Sequence, residues 1–252
     1  MTMPPRYEVI GIEGIGEVQP GDDVARLVID AAARQRTPIA GGDVLVLSQK
    51  IISKSEGRLL NLGEVTPSSM ATTFATELGR DPRLIEVILR ESRRVVRMDR
   101  GVLVTETRHG WVCANAGVDQ SNVEAEMVAL LPEDPDRSAR AFRDAVRAYA
   151  KAETYVIVAD TFGRPWREGL VNIAIGVAGF APLRSYLGER DPAGRPLQAT
   201  ILAIADELAA AAEPVMGKLD RIPAAIVRGL PLAPSEEGSK ALLRDPARDL
   251  FR

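Results

Sequence analysis

The hydrophobic and polar positions of this chain alternate between a strand-like period of two and a helix-like period of three to four. Short apolar runs predict strands at residues 7–12, 43–52, 155–159, 171–177 and 224–227. The run at 43–52 is the strongest of these, and a glycine pair at 41–42 precedes it as a turn signal. Residues 101–116 predict a β-hairpin, because two apolar segments flank a turn at 109–110.

Helices are predicted where apolar residues recur on one face and a start or stop signal flanks them. They fall at residues 22–34, 66–79, 81–89, 138–152 and 205–212. Pro67 and Pro82 are placed at the first helical position, and Gly79 is placed at a helix end. Strands and helices do not alternate regularly, so the pattern favours an α+β fold with mixed and antiparallel sheets and packed helices. We expect a single domain over residues 1–252.

Charge and cysteine content narrow the functional classes. The chain has 32 Lys and Arg residues against 35 Asp and Glu residues, a net charge of −3, which lacks the basic footprint of a general nucleic-acid binder. One cysteine and one histidine exclude a disulfide within the chain and a Cys- or His-rich metal centre. Neither a signal-like segment nor a membrane-spanning apolar run is found in the sequence. We therefore expect a cytoplasmic protein with no membrane partner.

Several conspicuous segments have structural explanations. Residues 11–16 lack the third glycine of a dinucleotide fingerprint, and Lys218 has neither the first glycine nor the Ser/Thr of a P-loop around it. His109 is expected to be an exposed turn residue, and Cys113 a packing residue within a strand. The acidic run 133–136 is expected on the solvated surface. None of these segments is assigned a function.

Three segments combine an apolar run with unusual polar residues: 48–54, 115–122 and 158–164. The first carries two lysines, and the other two carry the carboxylates Asp119 and Asp160. Carboxylates at strand ends are suited to hard divalent cations. Such cations, together with nearby lysines, stabilise the charge of phosphoryl transfer. The residues alone are therefore compatible with a metal-dependent enzyme that acts on phosphate groups.

Each of these residues also has a structural alternative. Ser121 and Glu124 fit the S-x-x-E capping box, so Asn122 could merely belong to a helix start. Asp160 could open a turn, and Lys54 could be an exposed surface lysine. Spacing alone does not choose between these alternatives and the metal–phosphate site.

The same segments resemble the coenzyme F420-0:gamma-glutamyl ligase family. The resemblance rests on five strings in the family's order: GDVLVLSQKIISKSEGR (42–58), NAGVDQSN (115–122), ADTFGRPWREG (159–169), IAIGVAGF (173–180) and IPAAIVRGL (222–230). It extends over nearly the whole chain, and the NAG-[VI]-D-x-SN and D-T-x-GR strings are specific. Some bacterial relatives carry a C-terminal flavin-dependent reductase domain; we expect the stand-alone form without it.

This resemblance implies an α+β fold particular to the family, a homodimer, and a reaction that uses GTP, L-glutamate and F420-0. Glutamate is joined to the lactyl carboxylate of F420-0 through an acyl phosphate, and further glutamates follow in γ-linkage. Mg²⁺ or Mn²⁺ is the implied metal, with K⁺ as an additional candidate. A non-catalytic F420- or nucleotide-binding module and an amide ligase acting on another carboxylate are the alternatives.

The resemblance also implies site residues. Asp119 and Asp160 fall where the family binds metal and performs catalysis, and Thr161 follows as a metal ligand. The implied nucleotide-binding positions are Gln49, Lys50, Lys54, Asn122, Arg164 and Lys218.

Lys218 departs from the family pattern, because archaeal members carry an acidic residue after the Met-Gly pair that here is 216–217. Either the metal has one carboxylate ligand fewer in this chain, or Lys218 contacts phosphate in its place. Asp206 and Glu207 could supply the missing oxygen, although an exposed acidic pair on a helix is the alternative.

Overall fold

The computed structural model describes residues 4–121 and 124–249. Its α-helices are α1 (Val24–Arg34), α2 (Gln49–Ser55), α3 (Ser69–Leu78), α4 (Pro82–Arg90), α5 (Pro135–Ala150) and α6 (Ile204–Met216). Its strands are β1 (Glu8–Gly11), β2 (Val44–Ser48), β3 (Leu59–Asn61), β4 (Ser92–Asp99), β5 (Val102–Thr107), β6 (Val112–Ala114), β7 (Met127–Ala129), β8 (Tyr155–Arg164), β9 (Arg167–Phe180), β10 (Arg184–Ser185), β11 (Ile201–Leu202), β12 (Ala224–Arg228) and β13 (Pro234–Ser235). The expected α+β class with mixed sheets is confirmed.

Six strands form the central sheet, in the order β1-β12-β2-β8-β9-β13. Within it β2 and β8 pair in parallel, and the other neighbours pair antiparallel. The first four residues of β2 are buried, as are residues 156–159 of β8. Strands covered on both faces need apolar side chains at every position, which explains why both strands are continuous apolar runs in the sequence.

Helices cover both faces of this sheet. On one face, Val28 of α1 and Phe142 of α5 share a hydrophobic cluster with Leu45 and Val158. On the other face, α6 contributes its apolar stripe to a cluster with Val46, Ile157 and Val227 of the sheet. The sheet therefore forms the middle layer, and its ends and edges are left for polar side chains.

A smaller part of the molecule has its own hydrophobic cluster. Leu84 and Ile88 of α4 pack with Leu103 of β5 and Val128 of β7, and α3 covers the same cluster. The antiparallel sheet β4-β5-β6 and the pair β3-β7 surround it. This part holds the segment that leads to Asp119 against the central sheet, because β6 also contacts β8.

The strand predicted at 43–52 is wrong in its second half. The strand ends at Ser48, and residues 49–55 form α2 instead. Ser48 accepts a hydrogen bond from the backbone N–H of Lys50, which starts the helix. Short apolar segments do not distinguish a buried strand from a short buried helix. Lys50 and Lys54 therefore lie on a helix rather than at a strand end.

The other predicted elements are confirmed with shifted limits. The helix expected from residue 66 begins at Ser69, because Ser68 caps it by accepting the N–H of Ala71. Pro82 does occupy the first helical position of α4, and the hairpin over 101–116 forms from β5 and β6. The strand β4 was not predicted, since its arginines interrupt the apolar alternation. None of the described helices is both long and apolar enough to cross a membrane.

Candidate active site

The first element of the candidate site is helix α2, which directly follows β2 and carries Lys50 and Lys54. The Gln49 side chain is buried, and its Oε1 accepts a hydrogen bond from Ser53 Oγ at 2.7 Å. Its Nε2 has no hydrogen-bond partner among the described residues. Gln49 therefore lies inside the protein beneath the helix, while Lys50, one residue later, extends towards Asp119.

The backbone fixes the position of Asp119. Its N–H donates to the carbonyl oxygen of Ala129 at 3.0 Å, and the N–H of Ala129 donates back at 2.8 Å. The 3₁₀ turn Asn115–Gly117 precedes it, and Gly117 has a φ of 71°. A Cβ on Gly117 would lie 2.8 Å from the Leu131 side chain, so both the conformation and the space require glycine.

Asp119, Lys50 and Ser121 form a closed polar triangle. Lys50 Nζ lies 2.8 Å from Asp119 Oδ2 and donates to Ser121 Oγ at 2.6 Å. The N–H and hydroxyl of Ser121 donate to the two oxygens of Asp119 at 2.7 and 3.0 Å. Burial by itself raises the pKa of Asp119, but the hydrogen bonds and charge of Lys50, with those of Ser121, outweigh it and lower the pKa. Asp119 is therefore ionised at neutral pH.

Asp160 lies within β8 rather than at its end, opposite Ile173 of β9. Burial, together with the negative charge of Asp119, raises the pKa of this carboxyl to about 6. The N–H of Thr161 and the charges of Lys50 and Lys218 act in the opposite direction. The carboxylates of Asp119 and Asp160 therefore interact electrostatically, although these residues are about forty positions apart in sequence.

Thr161 belongs to a second polar network on the other face of β8. Successive strand residues point to opposite faces; Val158 and Phe162 pack towards α1 and α5, whereas Ala159 packs towards α6. Asp160 therefore lies on the same face of β8 as Val158 and Phe162, and Thr161 lies on the same face as Ala159. The last residue of β2, Ser48, pairs with Ala159, so β8 has no β2 partner beyond that point.

The network at Thr161 joins β8, β9 and α6. Its hydroxyl donates to Asn172 Oδ1 at 2.7 Å and accepts from Lys218 Nζ at 2.6 Å. Glu213 accepts from Asn172 Nδ2 at 2.5 Å and pairs with Lys218 at 2.9 Å. Lys218, which follows the end of α6, is thus held beside the hydroxyl of Thr161 by a carboxylate of the last part of that helix.

The donors gathered here fit a hard divalent cation. Two half-buried carboxylates, Asp119 and Asp160, are oxygen ligands of the kind Mg²⁺ and Mn²⁺ prefer. The raised pKa of Asp160 shows an anion insufficiently compensated by its surroundings, and a bound cation would relieve it. Within ranges 4–121 and 124–249, no group of three or more His, Cys, Asp and Glu residues is arranged so that it could hold a metal ion, so a complete coordination shell would also need hydroxyl, water or substrate oxygens.

Lys54 and Arg164, two further expected site residues, have contacts of their own. Lys54 pairs with Glu17 and has a largely buried side chain, so it is not the exposed surface lysine that was the alternative. Arg164 lies at the β8–β9 turn and donates to the carbonyl oxygen of Glu168 at 2.8 Å. Asn122 lies outside the described residues, and its assignment stays a prediction.

Asn172 and Glu213 are site residues that the sequence did not identify. Asn172 is 5% exposed, and it interrupts the apolar strand β9, which was a usable signal. Glu213 gave no such signal, since acidic residues are common on helices. Asp206, considered as a metal ligand, accepts the N–H of Ala174 at 2.9 Å and is half-buried rather than exposed; burial raises its pKa.

Three further expectations concern residues outside the cluster. Asp136 is buried rather than solvated, since it accepts the backbone N–H groups of Val177 and Ser239. His109 lies in the turn as expected but is half-buried. Cys113 is buried, and burial together with the charge of Asp160 raises the pKa of its thiol to about 12. Cys113 is therefore a packing residue, as predicted.

Comparisons with known proteins identify the family of this chain. A profile of the F420-0:Gamma-glutamyl ligase family matches residues 13–229. The chain is 46% identical to a coenzyme F420:L-glutamate ligase of Methanothermobacter thermautotrophicus over 97% of this chain and 98% of that protein. It is 47% identical to the protein of the same name from Methanopyrus kandleri, covering 98% and 97%, and 41% identical to that of Haloarcula marismortui, covering 97% and 95%. On the family match and these near-complete similarities, the chain belongs to the F420-0:gamma-glutamyl ligase family.

Proposed function

We propose that this protein joins L-glutamate to coenzyme F420-0 with cleavage of GTP, and then adds further glutamates in γ-linkage. Membership of the ligase family supports the substrates, because the relatives are named coenzyme F420:L-glutamate ligases. The observation that carries the proposal is the pair Asp119 and Asp160, two interacting carboxylates flanked by Lys50 and Lys218.

The chemistry requires activation of a carboxylate. An ionised carboxylate does not condense with an amine, so one of its oxygens first attacks the γ-phosphorus of GTP and GDP leaves. The acyl phosphate that results is attacked at its carbonyl carbon by the amino group of glutamate. The C–N bond forms, the amine loses a proton, and inorganic phosphate leaves. The enzyme contributes mainly by positioning the reactants and by stabilising charge on the phosphoryl oxygens.

Asp119 and Asp160 would hold the divalent cation, Mg²⁺ or Mn²⁺, which when bound supplies positive charge to the triphosphate oxygens. The Thr161 hydroxyl, engaged by Asn172 and Lys218 on the other face of β8, would have to turn towards them to serve as a ligand. K⁺ is a further candidate, for which the described residues offer no separate argument. At position 218, where archaeal members of the family carry an acidic residue, this chain has a lysine. Glu213 and Thr161 hold its ammonium group beside the proposed cation site.

Lys50 and Lys218 are the groups suited to phosphate oxygens. Lys50 is engaged by Asp119, and Lys218 by Glu213. A cation bound to Asp119 would weaken the hold of this carboxylate on the ammonium of Lys50, which would then be available to an anion. Gln49, Lys54, Asn122 and Arg164 are proposed for the remaining nucleotide contacts. We propose that the enzyme acts in the cytoplasm as a homodimer.

The test is phosphate release from GTP by the purified protein in the presence of Mn²⁺ or Mg²⁺. We expect release, with formation of glutamylated F420, only when both F420-0 and glutamate are present. Release with another carboxylic acid in place of F420-0 would indicate a different amide ligase. Binding of GTP and F420-0 without any phosphate release would indicate a non-catalytic module and contradict the proposal.

A further inference from the structure

A pocket of about 250 Å³ lies beside the hairpin turn, separate from the carboxylate cluster. Its walls come from the β5–β6 turn, the start of α5, and residues 239–240. The volume is below the roughly 300–1,000 Å³ usual for drug-sized ligands, so the pocket suits a small molecule rather than a nucleotide or a deazaflavin. Trp111 of its wall lies two residues before Cys113, whose thiol is close enough to Asp160 to be affected by its charge.

The acidic residues of this pocket are already engaged by the protein. Asp136 accepts two backbone N–H groups, those of Val177 and Ser239, each at 2.8 Å. Glu91 pairs with Arg58 at 2.8 Å. Asp134 caps α5, and Glu133 faces Arg137 at 3.3 Å. These carboxylates therefore stabilise the fold, and their charges are largely compensated before any ligand arrives.

Three cations of the same pocket are not compensated in this way. Arg93 is exposed and lies 3.9 Å from Glu106, a carboxylate that Arg94 already engages at 2.8 Å. Arg108 donates to the carbonyl oxygen of Arg90, a neutral partner. Lys240 forms no ion pair within the described part of the chain. The pocket thus offers cationic donors to an anionic ligand, and charged hydrogen bonds of this kind are the strong ones.

His109 offers this pocket a hydrogen-bond acceptor, whereas the three cations offer donors. Its ring stacks on Trp111 with centroids 4.7 Å apart, which makes a flat wall. Its Nε2 lies 3.0 Å from the carbonyl oxygens of Pro132 and Glu133, so this nitrogen carries the proton. Nδ1 is then an acceptor, and it is buried without a partner in the described structure. A buried acceptor without a donor is destabilising, so a ligand N–H that reached this nitrogen would relieve that cost.

From these contacts we propose that the pocket binds an amino dicarboxylate of the glutamate class. Two carboxylates match the uncompensated cations, and an ammonium group matches the unpartnered Nδ1 of His109. The interleaved acidic residues disfavour a concentrated anion such as a triphosphate. The ligand is either free L-glutamate or the terminal residue of a γ-glutamyl chain; this choice of amino acid rests on the proposed function, whereas the site itself does not.

Calorimetric titration of L-glutamate into the metal-free protein, without GTP or F420-0, tests this site. We expect saturable binding that Lys240→Ala and Arg93→Ala each weaken at least fivefold, while Arg147→Ala on the exposed face of α5 leaves it unchanged. Glutarate, which lacks the ammonium, and L-glutamine, which lacks the second charge, should bind more weakly. Tighter binding of γ-glutamyl-glutamate than of glutamate would assign the pocket to the growing chain.

Two results would overturn the proposal: no binding of glutamate or of the dipeptide, or binding that all three variants retain equally. Lys240 is exposed, so its variant should keep the wild-type melting temperature and the comparison does not depend on folding. The outcome is independent of the proposed reaction, because the titration contains no nucleotide. GTP-dependent ligation without glutamate binding in this pocket would dismiss the site alone, whereas binding without ligation would dismiss the reaction alone.

Discussion

At Asp160, burial in the folded protein disfavours the ionised, negatively charged form of the carboxyl group. The folded protein holds its proton more tightly than the unfolded chain does, since the pKa rises from 3.8 to about 6. The metal-free protein therefore loses stability as pH rises from about 4 to about 6, and stays less stable above that range. The difference of about 2 pH units, at about 1.4 kcal/mol each, is about 3 kcal/mol.

We predict that Asp160→Asn stabilises the metal-free protein at pH 7.5 by up to about 3 kcal/mol, because the amide keeps the shape and removes the charge. At pH 3.5 the difference should largely vanish, because both side chains are then uncharged. Urea unfolding with a chelator present measures both values. The same variant should bind Mn²⁺ more weakly and nearly lose turnover; wild-type activity at limiting Mn²⁺ would show that Asp160 is not a ligand.

The role of Lys54 can be tested by comparing two variants, because its ion-pair partner Glu17 can be substituted separately. We predict that Lys54→Gln lowers GTP affinity by about tenfold if the ammonium contacts phosphate, together with a loss of stability from the broken pair with Glu17. Glu17→Gln breaks the same pair but keeps the cation. Titration of GTP into both variants should show the loss only in Lys54→Gln; equal affinities would make Lys54 a structural residue.

At the scale of elements, helix α5 approaches the backbone of β9 closely at Gly176. A Cβ at this position would lie 2.4 Å from the carbonyl oxygen of Pro135, which begins the helix. We predict that Gly176→Ala destabilises the protein by at least about 2 kcal/mol, since the obstacle is backbone and does not move aside. The measurement is the midpoint of urea unfolding.

Gly163→Ala is the matched control, because it lies on the neighbouring strand β8 and its new Cβ would be no closer than 3.9 Å to another side chain. Its effect should stay within about 0.5 kcal/mol. If both variants unfolded at the same urea concentration, the close packing of α5 on β9 would be wrong. A Gly residue within a strand does not by itself indicate this difference, since both positions lie in strands and only the packing of α5 separates them.

At the junction of β2 and α2, the residue at which the strand ends determines the directions of the side chains that form the candidate site. The apolar residues from Val44 to Ile52 suit either a strand or a buried helix, and the cap formed by Ser48 settles where one becomes the other. Because the chain turns there, Lys50 extends towards Asp119 and Gln49 points inward. A strand continued to Ile52 would have placed these side chains on opposite faces of the sheet.

At the scale of the whole molecule, the assembly is still a prediction. We expect a homodimer of about twice the 27.2 kDa chain mass, measured by light scattering at micromolar concentration. The β8–β9 turn region is a candidate contact, because Leu170 is 68% exposed there. Leu170→Glu should shift the protein towards monomer without lowering its melting temperature, whereas Met70→Glu on α3, also exposed, should not. A monomeric wild-type profile would contradict the expectation.

The sequence by itself determined the class of fold, most of the helices and strands, and the motifs that place Asp119 and Asp160 in a ligase family. These are local properties, since caps, apolar runs and short motifs depend on neighbouring residues. Only the tertiary structure decided that Asp160 interacts with Asp119, and that Thr161 faces Asn172, Glu213 and Lys218 instead. Such contacts join strands and helices far apart in sequence, and burial, which sets the pKa of Asp160, exists only once those elements are packed together.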